Sequence, residues 1–331
     1  MYKLMKRTLS IAAMICLLFS FTAHAEWEEP FGQSFAEHFR LISLSERIVI
    51  CSAATNDKLY AMTKSGTIYS YDVSMNQYSV VCEVPIWPSI DFDIPLNRQS
   101  AEKKKAMSDA VTNLFVDETN SLYAFNRMTG AVGRIDAAGV HWQSIRMDTS
   151  VFFEPGSDYA SLEFNQPKII NNSLEGWTIQ SMEEKPCVKW IAFSLIDGSC
   201  TTTDIEGAFQ LCQLSDNELL ALVLKDNQNI ALEVYSKTGQ YISQYDVALP
   251  PIRIEGKTTA IDLQNIVGPF AYDPSTASLY FIDNAHLYRS VDEKPFEIID
   301  SNVPWMPPLA YSKIQTLNDK TVIVNGQWLW K

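Results

Sequence analysis

The stretch DKLYAMTKSGTIYSYD, residues 57–72, contains the pattern on which most of the chain is built. Two short runs of apolar and aromatic residues flank a turn that contains Gly66. Glycine supplies the positive φ that other residues avoid in such turns. Asp72 follows the second run, where its carboxylate can bond backbone amides of the next turn. The stretch therefore predicts a β-hairpin that continues into a further turn.

Similar hairpins recur along the chain, and LYAFNRMTGAVGRID and LYFIDNAHLYRSVD are the clearest further copies. The copies begin at Leu59, Leu122, Gly176, Glu218, Leu279 and Lys320. A short apolar run precedes each copy, and another follows most of them. Four antiparallel strands that recur six times, at intervals of roughly 50–60 residues, predict an all-β fold, a six-bladed β-propeller of four-stranded antiparallel blades. The one plausible helix, residues 98–110, lies in an insertion.

The last repeat has only three strands before the chain ends at Lys331. A blade without its fourth strand would leave an exposed sheet edge in the ring. The strand-like run HFRLISLS, residues 38–45, has no hairpin partner of its own. We therefore predict that this N-terminal run is the outer strand of the last blade. The predicted blades cover approximately residues 46–84, 110–147, 165–204, 207–247, 265–300, and 310–331 with 38–45.

Motifs such as GTIYSYD resemble the repeats of six-bladed, TolB-like or quinoprotein-like propellers of exported bacterial proteins. The resemblance extends over nearly the whole chain after residue 25, and it implies the fold more than a function. Six-bladed propellers include metal-dependent lactonases, which hold a channel cation with Glu, Asn and Asp of the inner strands. The corresponding strands here contain Asn113, Asn171 and Gln210 but no clear acidic pair. A lactonase-like hydrolase or lyase is therefore the alternative interpretation.

The first 25 residues have the features of a secretory signal peptide. Basic residues precede a short apolar run at 9–21, and Ala23-His24-Ala25 is a small-x-small cleavage site. The apolar run is too short to span a bilayer as a stable helix. We therefore predict that residues 1–25 are removed and that residues 26–331 form a single propeller domain. The protein would be secreted, at the cell surface or periplasmic, without stable membrane insertion.

The composition excludes several kinds of partner. The formal net charge is −13, and loss of the signal peptide would make it more negative. No basic patch remains that would neutralise phosphates, so we expect no nucleic-acid partner. An odd number of cysteines follows residue 25 without a C-x-x-C pair, which is typical neither of a disulfide framework nor of a zinc site. We expect a monomer.

Long links rich in proline and aromatic residues join several of the predicted blades on one face of the ring, here called the loop face. The candidate ligand-binding residues in these links are Trp87, Asp91, Asp93, Phe152, Phe153, Glu154 and Trp305. Aromatic faces next to carboxylates suit a peptide, glycan or protein ligand. The alternative for each aromatic residue is that it folds back and caps the core of a blade.

The sequence assigns no catalytic residue, metal ligand or cofactor. His38, His141 and His286 are widely separated and form no HExxH-like pattern. Asp91 and Asp93 would share one face of an extended loop and could hold calcium, although capping of the loop is the simpler role. We therefore predict a non-catalytic binding or scaffold propeller. Besides the hydrolase or lyase, an accessory subunit of a cell-surface uptake system is an alternative.

Overall fold

The computed structural model contains twenty-four strands, which account for most of the described residues between 39 and 330. The described residues are 39–41, 49–55, 57–72, 74–75, 77–86, 100–154, 160, 162–180, 186–225, 229–245, 247, 249, 270–283, 286–301, 314–317, 321–324 and 328–330. Within them, the strands form six four-stranded antiparallel sheets. Five sheets are described together with their side chains, and the sixth through the pairing of its backbone.

Five of the sheets follow the chain strand by strand. The first consists of β2 (Val49–Ala54), β3 (Lys58–Thr63), β4 (Thr67–Asp72) and β5 (Gln77–Glu83), and the second of β6 (Asn113–Val116), β7 (Leu122–Asn126), β8 (Ala131–Asp136) and β9 (Gly139–Arg146). The third consists of β10 (Asn165–Ile170), β11 (Ser173–Gln180), β12 (Cys187–Ser194) and β13 (Cys200–Glu206). The fourth consists of β14 (Ala208–Gln213), β15 (Glu218–Leu224), β16 (Ile230–Ser236) and β17 (Tyr241–Gln244), and the fifth of β18 (Phe270–Asp273), β19 (Ser278–Asp283), β20 (His286–Val291) and β21 (Glu297–Asp300).

The sixth sheet joins the two ends of the described chain. It contains β22 (Ile314–Leu317), β23 (Thr321–Val324), β24 (Trp328–Trp330) and β1 (Phe39–Leu41). Strand β1 pairs antiparallel with β24, with Phe39 opposite Trp330 and Leu41 opposite Trp328. The prediction that an N-terminal strand completes the last sheet is therefore confirmed for residues 39–41.

The sheets follow one another around a common axis. Strand β2 contacts β6, β6 contacts β10, and β14 contacts β11 and β12 of the preceding sheet. Strand β14 also contacts β18, β18 contacts β22, and β22 returns to contact β2. The innermost strands are therefore β2, β6, β10, β14, β18 and β22. The molecule is a β-propeller of four-stranded antiparallel blades.

The hydrophobic core lies between neighbouring sheets. One cluster fills the space between the second and third sheets and contains four phenylalanines at zero exposure, Phe125, Phe152, Phe164 and Phe193. Separate clusters fill the spaces between the first and second sheets, between the third and fourth, and between the fourth and fifth. A lone four-stranded sheet exposes both faces, so this packing between sheets is the main source of burial.

The turns of the opening hairpin have the predicted chemistry. Gly66 has φ of 91°, and a Cβ at this position would lie 2.1 Å from the carbonyl oxygen of Val84. The carboxylate of Asp72 accepts hydrogen bonds from the backbone amides of Ser74 and Met75, both at 2.9 Å. Bonds from the Ser74 hydroxyl and from these amides lower the pKa of Asp72. Asp136 has the same role in the second sheet, where it accepts from the amide of Ala138.

One helix, α1 (Ala101–Asp109), lies between the first and second sheets in sequence, within the stretch predicted to be helical. Ser100 caps its N-terminus, because the Ser100 hydroxyl accepts a bond from the amide of Lys103 at 3.2 Å. Met107 is its one buried residue. No helix among the described residues has the length and apolar content that crossing a bilayer requires.

Candidate functional site

The predicted ligand-binding residues fall into two groups. Trp87, Asp91, Asp93 and Trp305 lie outside the described residues, so their prediction stays open. Phe152, Phe153 and Glu154 are described, in the link that follows β9. This link begins with a 3-10 helix, Thr149–Phe152, whose N-terminus is capped by the Asp148 carboxylate accepting from the amide of Ser150.

Phe152 is a core residue. Its ring lies 5.1 Å from that of Phe164 and 6.0 Å from that of Phe125, measured between centroids. Its side chain has zero exposure, so no ligand on the loop face can stack on it. The prediction that Phe152 belongs to a surface aromatic platform is therefore corrected. The 3-10 helix turns this residue inward, where it caps the core between the second and third sheets.

The next two residues point progressively outward. Phe153 is half-buried, packs against the edge of the same phenylalanine cluster, and forms an isolated backbone bridge with Ala160. Glu154 is exposed. Of the described candidates, these two are placed where a ligand on the loop face could reach them.

Two residues in the turn between β7 and β8 form hydrogen bonds to two insertions on the loop face, the segment that contains α1 and the link after β9. The buried side-chain amide of Asn126 donates hydrogen bonds to the carbonyl oxygens of Met107, Ser108 and Ala110, at the C-terminal end of α1. Its neighbour Arg127 bonds the other insertion, the link after β9. Neither residue was among the predicted site residues.

The guanidinium of Arg127 donates to the carbonyl oxygen of Leu162 and pairs with the carboxylate of Glu163 at 3.1 Å. The Arg127 side chain is mostly buried, which strengthens charge-assisted bonds of this kind. The sequence signal was the polar pair Asn-Arg, which follows the strand residues LYAF directly. Its partners are 16 to 36 residues away, too far to be recognised from local pattern.

The inner strands use several polar side chains for structural bonds. The Asn113 amide donates to the carbonyl oxygen of Phe164 at 2.9 Å, and its side-chain oxygen accepts from the Thr112 hydroxyl. Asp273 accepts bonds from the amide and hydroxyl of Ser275. Asn171 lies in the turn after β10, with φ of 49°. No group of three or more His, Cys, Asp or Glu side chains suited to a metal ion occurs in the described part of the chain.

Strand β10 differs from the other inner strands. Its register with β11 shifts between Asn165 and Lys168, and Gln166 has φ of 48° in this bulge. The Gln166 amide donates to the carbonyl oxygen of Phe270 at 3.1 Å, in the inner strand two sheets further on. This hydrogen bond therefore passes on the channel side of β14, the inner strand of the fourth sheet. Gln166 and Lys168 are both exposed.

A charged network lies between the third and fourth sheets. Lys237 pairs with Glu175 and also lies over the ring of Trp190, with its ammonium 5.5 Å from the ring centroid. Further along the interface, the buried carboxylate of Glu233 pairs with Lys225 and accepts a bond from the Tyr235 hydroxyl at 2.7 Å. Burial and the bond to Glu233 raise the pKa of Tyr235.

Comparisons with solved structures give distant similarities. A gluconolactonase from Xanthomonas campestris has 10% identity and a TM-score of 0.48, with 88% of each chain covered. A streptogramin B lyase has 14% identity and a TM-score of 0.42, covering 87% of this chain and 80% of the lyase. YCF48 bound to D1 peptide has 11% identity and a TM-score of 0.43, covering 85% and 78% respectively. These similarities carry no argument about activity or ligand. No protein-family model and no curated protein matches the chain.

Proposed function

We propose that the chain is a non-catalytic binding or scaffold propeller that works outside the cytoplasm. Its ligand is a protein, peptide or glycan, held on the loop face. One observation carries the proposal: Asn126 and Arg127, adjacent in one turn, fix two separate insertions on that face. Long loops inside a compact domain are commonly functional, and anchoring by buried hydrogen bonds prepares a surface for binding at a lower entropic cost.

The proposal includes a ring of six blades. The return of β22 to β2 and the pairing of β1 with β24 support this count. Removal of residues 1–25, secretion and a monomeric state belong to the same proposal, and the charge and signal-like N-terminus support them.

A metal-dependent hydrolase or lyase remains the alternative. Such an enzyme needs carboxylates and amides of the inner strands as cation ligands. Against it stands the use of Asn113 and Asp273 in bonds to neighbouring backbone groups. An accessory subunit of an uptake system would use the same loop face with a protein partner.

Retention on peptide and glycan arrays, combined with cross-linking of the exported protein, tests the proposal. We expect the wild type to retain a ligand. Trp87→Ala, Trp305→Ala and Glu154→Gln should each weaken retention. Glu118→Gln is the matched control for Glu154→Gln, because Glu118 is also exposed. Glu118 lies in the turn between β6 and β7, on the face of the ring opposite the loop face.

Two results would contradict the binding interpretation. The first is an activity that disappears together with a bound metal after treatment with a chelator. The second is equal weakening by Glu118→Gln and Glu154→Gln, which would show that retention depends on total charge rather than on the loop face.

A further inference from the structure

The inner strand β10 has exposed side chains, whereas the described side chains of the other inner strands are buried or half-buried. In the inner strands β2, β6, β14 and β18, every residue whose side chain is described is buried or half-buried. Gln166 and Lys168 are exposed. Because β10 is the innermost strand of its sheet, solvent reaches these two side chains from the central channel.

The backbone around Gln166 is held in an unfavourable conformation. A φ of 48° is uncommon for a residue other than glycine, asparagine or aspartate, and a bulge in an inner strand re-aims a side chain. Here the re-aimed amide reaches past the inner strand of the fourth sheet to the carbonyl of Phe270. A side-chain amide has two N–H donors, so one remains for another acceptor.

Lys168 adds a positive charge beside this amide. No ion-pair partner for Lys168 exists within the described ranges. The residue directly opposite it on β11 is Glu175, and that carboxylate already pairs with Lys237. Lys168 therefore adds a positive charge that this ion pair does not neutralise, in a protein whose formal net charge is −13. A positive charge inside a cleft attracts anions more strongly than the same charge on an open surface.

We propose that the channel at β10 binds a carboxylate, with Lys168 as its ion-pair partner and the free N–H of Gln166 as a hydrogen-bond donor. Gln166 reaches past the fourth sheet to Phe270. Lys168 lies opposite Glu175, whose partner Lys237 belongs to the fourth sheet. Both groups therefore lie on the side of the innermost strand that faces the fourth sheet. The carboxylate belongs to a small organic acid or to the end of a peptide chain. This site does not depend on the aromatic residues of the loop face.

Calorimetric titration of the purified protein tests this site with four probes. Succinate and its dimethyl ester distinguish a small acid from its neutral form. Trialanine with an acetylated N-terminus, either with a free C-terminal carboxylate or as its neutral C-terminal amide, does the same for a peptide end. We expect succinate or trialanine to bind and both neutral probes to fail. Binding by succinate alone would identify a small acid, and binding by trialanine alone a peptide end.

Three variants locate the binding. Lys168→Met should weaken it by about tenfold or more, since a charge-assisted bond is lost. Lys168→Arg should retain most of it, and Lys105→Met, an exposed lysine of α1, should leave it unchanged. The proposal is overturned if neither acid binds at millimolar concentration, if acid and neutral probes bind alike, or if Lys168→Met binds as the wild type does. The melting temperature of each variant confirms that it folds.

Discussion

The two faces of the third sheet are packed in different ways. Towards the second sheet, Phe125, Phe152, Phe164 and Phe193 meet with ring centroids 5.1 to 6.0 Å apart. Towards the fourth sheet, Trp177 and Trp190 lie opposite each other and are accompanied by charged side chains. One interface is therefore entirely apolar at its centre, and the other combines aromatic rings with ion pairs.

The difference shows two ways of joining the same kind of sheet. Apolar interfaces gain stability from burial and from edge-to-face contacts between rings. Ion pairs at an interface add little net stability, because charged groups lose their hydration when they are buried. Ion pairs do destabilise any packing of the two sheets in which one charged group is buried without the other. Hydrogen bonding at the charged interface is also incomplete, since the indole N–H of Trp177 is buried without a partner among the described residues.

The largest effect is expected from breaking the apolar interface. Phe125→Ala should lower the free energy of unfolding by about 3–5 kcal/mol, because it leaves a cavity among three other phenylalanines. Phe153→Ala, at the half-buried edge of the same cluster, should lower the free energy of unfolding by a clearly smaller amount. Chemical denaturation measures both. Equal losses would mean that the cluster is not the centre of this interface.

Breaking the charged interface should have a smaller effect. Glu175→Gln removes the partner of Lys237 and should cost about 2 kcal/mol, since a mostly buried ammonium is left without its carboxylate. The double variant Glu175→Gln with Lys237→Met should recover part of this loss. A double variant less stable than either single variant would show that the ion pair contributes through packing rather than through charge.

The bulge in β10 lies on the strand shared by both interfaces. Gln166→Gly and Gln166→Ala both remove the bond to Phe270, but only glycine accepts a φ of 48° without strain. The glycine variant should therefore be more stable than the alanine variant by about 1 kcal/mol. If the alanine variant is the more stable of the two, the bulge is not strained.

The smallest of the four effects on stability is expected from alkaline pH, which acts at the charged interface. The pKa of Tyr235 is raised above its usual value of 10.0 by burial and by the bond to Glu233. A raised folded-state pKa contributes stability that is present below pH 10 and is lost as the pH rises further. Stability of the wild type should fall above pH 10, and that of Tyr235→Phe should fall less steeply. Thermal unfolding at a series of pH values measures this difference, and identical slopes would contradict it.

Much of the fold follows from local chemistry. The hairpins around Leu59 and Leu122, the glycine in the Gly66 turn and the capping by Asp72 are visible as short patterns. The pairing of β1 with β24 followed from a different argument, the need to complete the last sheet.

The site was harder to predict because its parts meet only in the folded chain. Phe152 and Phe153 are adjacent aromatic residues, and only the 3-10 helix determines which of them turns inward. Arg127 acquires its role from Leu162 and Glu163. The role of Gln166 depends on a register shift and on Phe270, which is 104 residues away.

The pairing of β1 with β24 also affects how the protein folds and how it unfolds. The two strands come from opposite ends of the described chain, so this sheet cannot assemble until synthesis has passed residue 330. Non-local pairings of this kind form late and slowly. A single proteolytic cut between β1 and β2 would turn β1 into a separate short peptide. Within the described part of the chain, three paired residues would then hold it without a tether, and we expect the ring to open from there.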